Sequence, residues 1–363
     1  MNAVNMMEAS HQWAKRPADE RFQTLAALRE SVHARRMVSR STDVTLSSLN
    51  VRMDGGGLVI NSGVSECEPT HWSFGQLASA IGAPGGYLRT LSPKLLTDCF
   101  NEGLAQAESP AKIMVASREE GPGNLQAVTS TTYGRIWDAD CVDAVTRIQE
   151  RTSGRFYNPP AYVKGGTGTE PSGLYASDHD CFMFLIDGGS RLEVGPRAKL
   201  NRGFIMSNSE TGARTMTLMT FLFNEVCGNH IIWGAQEVNK LVIRHTAGGP
   251  YRFDAEAAPL LLAYAEDSAL PVESVIRKAQ AFALPDNGAK RDTLNEWFKS
   301  NGKFSNSEVR GGIEAAFAEE GQCATLWDAV QGLTAYARGF DHVDARVELE
   351  RRAGALLNIV SGN

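Results

Sequence analysis

Residues 203–234 read GFIMSNSETGARTMTLMTFLFNEVCGNHIIWG, and the reading of this run decides the fold. In an extended chain successive side chains alternate between faces. Met216, Leu218, Thr220, Leu222, Asn224 and Val226 then share one face; Thr215, Thr217, Met219, Phe221, Phe223 and Glu225 share the other. Both faces carry large apolar groups, the pattern of a central strand covered on two sides. Gly203–Ser207 reads as a second strand. The Ser207–Gly212 segment between them is rich in Ser, Asn and Gly, which favours a turn over a catalytic role.

Working outward, further strands are expected at Cys181–Ile186 and Val238–His245. Asp54-Gly55-Gly56-Gly57, with alternating residues on either side, predicts a β-hairpin. Phe74, Leu77, Ala78 and Ile81 recur at helical spacing, and Pro84 and Pro93 suit helix starts. Strands are expected on both sides of the Gly121-Pro122-Gly123-Asn124 turn. A helix follows with Val142, Val145 and Ile148 on one face. Tyr157–Asp180 reads as a long polar, Gly-rich loop, the kind that is functional or mobile. Beyond Gly249 the chain turns helical, as in Thr325–Gly339 and Asp344–Val360.

The expected architecture is α+β: a mixed, mostly antiparallel sheet with packed helices, then an α-helical C-terminal region. Residues 1–42 form an N-terminal arm with a helix at about Asp19–Val38. Residues 43–250 form the core domain, and 251–363 pack on it as helices.

Composition bounds the class. Hydrophobic residues make up 42% and charged residues 21% of the 363, which fits an ordinary globular protein. No apolar run approaches the roughly 20 residues that cross a bilayer, and the first residues lack a secretory signal layout. A cytoplasmic protein without a membrane partner is expected. The six cysteines never form a C-x-x-C pair, which argues against a disulfide framework or zinc knuckle and for free, buried thiols.

Net charge is −6 but unevenly spread. Residues 188–246 hold seven Lys/Arg against four acids, and residues 251–363 hold twelve against seventeen. A second basic cluster spans Arg29–Arg40. Localised positive surface binds phosphates even on an acidic protein.

Lys164–Gly173 is Gly-rich but lacks the Gly-Lys-Ser/Thr ending of a phosphate loop. Cys67 and His71, or Cys227 and His230, do not complete a four-ligand zinc set. Asp178 and Asp180 would share a strand face and could hold Mg²⁺ in a phosphodiesterase, without an identifiable third ligand. No cofactor motif is found. The remaining signal is basic and aromatic: Arg191, Arg197, Lys199, Arg202 and Arg214 as phosphate contacts, with Tyr162 and Tyr175 as stacking platforms for unpaired bases.

Several segments, in order, resemble the phage/plasmid-like protein family defined by a domain of unknown function. They are SFGQLASAIGAPGGYLRTLSP from Ser73, AVTSTTYGRIWDADCVDAV from Ala127, SNSETGARTMTLMTFLFNEVCGNHIIWG from Ser207, VIRHTAGG from Val242 and TLWDAVQGLTAYAR from Thr325. His230 stands where that family usually has Gly. The resemblance carries a setting, mobile-element DNA, rather than a reaction. Together with the basic segment it leads to an expected non-enzymatic, homo-oligomeric protein that binds single-stranded DNA, in strand annealing or recombination. The alternatives are an interaction or host-defence-interference factor, whose positive centre meets its acidic tail between subunits, and the metal-dependent phosphodiesterase.

Overall fold

Chain closure dictates the shape of the first sheet. Its strands β1 (Ser39–Thr45), β2 (Asn50–Asp54), β3 (Gly57–Asn61), β4 (Glu66–Pro69), β5 (Pro110–Ala116) and β6 (Gly123–Thr129) pair in the order β1-β5-β6-β4-β3-β2. β1 and β2 occupy opposite edges, yet only residues 46–49 join them. In a flat sheet five strand spacings would hold these edges about 24 Å apart. Five extended residues reach at most about 18 Å, so the sheet has to roll. Gly55 and Gly56, at φ 54° and 92°, form the two-residue β2–β3 turn, where both positions need positive φ.

The structure is a computed structural model that describes residues 17–63, 65–163, 166–171, 173–189, 192–193, 199–224, 229–231, 240–266, 270–288, 290–340 and 343–361. Inside the rolled sheet Val51, Ile60, Cys67, Ile113 and Leu125 meet Phe74 and Leu77 of helix His71–Ala80. Phe100 and Leu104 of helix Pro93–Ala105 complete this core. Thr70 caps the first of these helices by accepting from Ser73 N.

The second sheet contains β7 (Phe156–Tyr157), then, after the separate two-stranded ribbon β8 (Pro160–Val163) and β9 (Gly166–Pro171), β10 (Leu174–Ala176), β11 (Cys181–Asp187), β12 (Leu192–Glu193), β13 (Lys199–Asn208), β14 (Met216–Asn224), β15 (Asn229–Ile231) and β16 (Lys240–Ile243). Its pairings are antiparallel, with β13 between β11 and β14. β14 in turn pairs with β15 and β16. Met216, Leu218, Met219 and Phe221 are all buried, so β14 is the two-sided central strand that its alternation predicts.

Tyr157–Asp180 departs from the expected loop. It holds β7, the β8–β9 ribbon and β10, and Leu174, Tyr175 and Ala176 are buried. Within this Gly-rich stretch Gly166–Pro171 pairs as a ribbon strand instead of forming a loop.

The described residues pack around three hydrophobic cores. Helix Leu25–Val38 contributes Leu28 and Val32 to the second sheet's core. Helix Asp138–Arg151 adds Val142, Val145 and Ile148 to the same core, and Phe253 and Leu261 join from beyond residue 250. The helical region's own core begins at Val275 and includes Phe298, Ile313, Trp327, Leu333 and Leu349. Helices Leu326–Ala337 and Val343–Ala355 lie beside β15. The α+β class with a helical C-terminal region thus holds, while its boundaries follow cores that interleave segments from either side of residues 42 and 250.

Candidate functional site

The segment between β13 and β14 is a buried polar junction. Asn208, Ser209, Glu210 and Thr211 are at most 2% exposed. A tight surface turn would leave these groups to water; here side chains from several elements take them. Trp72 Nε1 and Gln76 Nε2, on helix His71–Ala80, donate to Thr211 O at 3.1 and 2.7 Å. Tyr133 OH donates to Ser209 O at 3.1 Å, and Arg135 donates to Glu210 O. Ser209 Oγ donates to His179 O at 2.6 Å. The junction therefore ties the first sheet's helix to the centre of the second sheet.

Two carboxylates lie at its heart. Asp138 opens a helix, and its backbone N–H donates to Glu210 Oε1 at 2.8 Å. Asn208 Nδ2 donates to Asp138 Oδ1 at 2.7 Å, and Arg35 bonds Asp138 Oδ2 at 2.6 Å while lying 3.8 Å from Glu210. Burial, reinforced by the charge of Glu210 and opposed by Arg35 and Asn208, pushes the Asp138 carboxyl up to about 7. Nearby, His245 stacks on Tyr133 at 5.0 Å, and burial pushes its imidazole down to about 4. A carboxyl that exchanges its proton near neutral pH is chemically useful in an enzyme. Here it is 1% exposed and fully engaged, so it acts as a cross-link.

The Asp178/Asp180 pair does not form a metal site. Asp180 is buried, faces Arg214 at 3.1 Å and accepts from Ser177 Oγ at 2.6 Å. Asp178 instead contacts its neighbour His179, at 2.6 Å from Nδ1. Cys67 is buried with its thiol directed at Ile60 O. Among the described residues no group of three or more His, Cys, Asp or Glu could hold a metal. Cys227 lies outside the described residues, as does the side chain of His230.

The predicted nucleic-acid residues divide sharply. Tyr175 is 0% exposed and stacks on Phe182 at 4.9 Å, so it has no face for a base. Arg202 is 3% exposed and paired with Asp187 at 3.1 Å. Arg214, one-third exposed, is held by Asp180. Tyr175 and Arg202 are corrections: a strand position turned into the core, for Arg202 beside the buried Asp187, overrides aromatic or basic character. Lys199 lies on β13 where it pairs with Glu193 of β12, and Tyr162 lies on β8 opposite Thr167. The side chains of Lys199 and Tyr162, and all of Arg191 and Arg197, lie outside the described residues.

The second basic cluster is also spoken for. On helix Leu25–Val38, Arg29 and His33 both meet Asp143, at 2.7 and 2.9 Å, and Arg36 meets Asp140. A basic helix stripe lies against an acidic one. Among the described residues Arg40, past the helix end, is the member of this cluster that bonds no acid, donating to Met37 O and Ser39 O.

Arg40 borders a different feature, a cleft of 520 Å³ in the first sheet. Arg40 and Thr42 come from β1, Ile113 and Val115 from β5, and Ser117 and Arg118 from the residues after β5. Arg118 is held by Glu68 at 2.8 Å. Across the cleft Asp54 and Glu66 are both bound by Arg52, at 2.7 and 2.6 Å.

No protein family, curated protein or solved structure matches this chain. Among the described residues no helix is long and apolar enough to cross a membrane.

Sequence reading missed Arg35, Asp138, Asn208 and Glu210 as a unit. The available signal was the basic repeat Arg29, His33, Arg36 and the acidic repeat Asp140, Asp143 on two separate amphipathic helices. Charge complementarity between them is informative only once the two helices are known to be neighbours.

Proposed function

We propose that this protein binds nucleic acid, preferentially single-stranded DNA, as an oligomer in the bacterial cytoplasm, and that it serves strand annealing or recombination of a phage- or plasmid-type element. One observation supports this reading above others. Two strand pairs carry part of the predicted binding set: β12–β13 of the second sheet holds Lys199, and the separate β8–β9 ribbon holds Tyr162. In the chain Arg197 falls between β12 and β13, and Arg191 immediately precedes β12. Two-stranded ribbons bring cations and aromatic faces to a nucleic-acid strand without a deep pocket. Arg202 and Tyr175 are buried in the second sheet, and Arg214 is held by Asp180 just before β14.

Fluorescence polarisation of a labelled single-stranded oligonucleotide, titrated with salt and competed with duplex, tests the reading. Salt-sensitive binding with single-strand preference is expected. Absence of binding at low salt would remove nucleic acid as the partner.

A further inference from the structure

We propose that the cleft of the rolled first sheet is a binding site for a small oxyanion-bearing molecule, a phosphate ester or carboxylate on a compact apolar body, separate from the nucleic-acid surface. The argument starts from strand register. Arg40 pairs with Val115 and Thr42 with Ile113 across β1 and β5, so these four side chains share one face. Ser117 lies two residues past Val115, and its N–H bonds Val38 O at 3.0 Å, which continues the alternation onto the same face. All five line the 520 Å³ cleft, a volume suited to a small molecule.

The two walls differ in how their polar groups are used. Asp54 and Glu66 share Arg52, Arg118 is clamped by Glu68, and Ser62 Oγ donates to Ser65 O at 3.0 Å. That wall is internally satisfied. On the β1 wall the Arg40 guanidinium meets, among the described residues, two carbonyls of its own turn and no acid. The hydroxyls of Thr42 and Ser117 have no protein partner among the described residues, and all three residues are exposed in the cleft. One cation and two hydroxyls on a single wall match the acceptors of a phosphate or carboxylate. Beside them, Ile113 and Val115 offer an apolar floor for the body of the ligand. The filled wall opposite, with its two carboxylates, disfavours a polyanion, so the cleft suits a small ligand better than a DNA backbone.

Saturation-transfer NMR on the full chain tests this with three probes: phenyl phosphate, benzoate and uncharged benzyl alcohol. At least one anion should bind, with benzyl alcohol weaker by about tenfold or more, the expected worth of a charge-assisted contact. Preference for phenyl phosphate or for benzoate identifies the headgroup. Arg40→Ala and Thr42→Val should each weaken the anion, Arg40→Ala by about tenfold or more, with melting temperatures unchanged because both residues are exposed. Thr42→Val keeps the site's shape and serves as the second readout should Arg40→Ala disturb the β1 edge. Equal anion binding by wild type and both variants, or binding of neither anion, would overturn the proposal. Loss of DNA binding in the ribbon variants should leave anion binding intact, which separates this site from the proposed function.

Discussion

The first sheet keeps Arg40, Thr42 and Ser117 on the wall of an open cleft, whereas the second sheet draws Asp138, Asn208 and Glu210 into its interior. The difference follows from topology. A sheet whose edge strands are joined by four residues must roll, and rolling leaves an opening at its end. A strand such as β14 with neighbours on both sides has no such opening, and polar groups at its end require internal partners. Polar groups therefore serve cohesion in one sheet and remain accessible in the other.

That contrast is most directly broken by removing core members of the second sheet. Tyr175→Ala should cost about 3–5 kcal/mol, as for other large buried aromatics, while its DNA affinity per folded molecule stays unchanged; urea denaturation and polarisation check the two halves. Arg35→Met leaves Asp138 and Glu210 without their shared cation, and breaking a buried pair costs about 3–5 kcal/mol. By comparison, Arg40→Met in the cleft should move stability by less than about 0.5 kcal/mol, the usual effect at an exposed site.

In the first sheet, Gly123→Ala places a Cβ 2.7 Å from Ala116 O and 2.9 Å from Val115 Cγ1. Overpacking of this kind costs about 1–3 kcal/mol, and it should also narrow the cleft and weaken anion binding.

Proton linkage sharpens the comparison at the junction. The Asp138 carboxyl is raised from 3.8 to about 7, so the folded state holds a proton that the unfolded state releases. Its contribution to stability falls as pH rises from about 4 to about 7. His245 is lowered from 6.5 to about 4, so the unfolded state binds the extra proton, and its contribution rises with pH between about 4 and 6.5. The two slopes oppose each other. Asp138→Asn should therefore make stability rise with pH across that window relative to wild type, and His245→Phe should make it fall. Parallel stability curves for both variants would contradict the assigned environments.

The ribbons carry the expected effects on DNA binding. Arg197→Ala with Lys199→Ala removes two phosphate contacts, which should flatten the salt dependence of log K by about 1.4, at roughly 0.7 per phosphate on single strands. Tyr162→Ala should cost about 1–3 kcal/mol of binding, the worth of one stacked base.

Strand β14, the β2–β3 hairpin and the helix bearing Val142, Val145 and Ile148 were legible because their periodicity is local and strong. The rolled sheet was not, since it depends on the order in which distant strands pair. Ser207–Gly212 has turn composition and does connect two strands, but nothing local shows that Trp72, Gln76, Tyr133 and Arg135 converge on its carbonyls. Arg202 and Tyr175 illustrate the converse error. Basic and aromatic residues near a Gly-rich segment suggest a binding surface, and only Asp187 and Phe182 reveal that they are internal.

Amide hydrogen exchange with and without a single-stranded oligonucleotide tests the central claim most directly. Added protection should concentrate on Pro160–Pro171 and Leu192–Lys199, with residues 208–213 unchanged because the junction is already closed. Protection confined to the first sheet, or none at saturating oligonucleotide, would contradict the assignment of nucleic-acid binding to the ribbons.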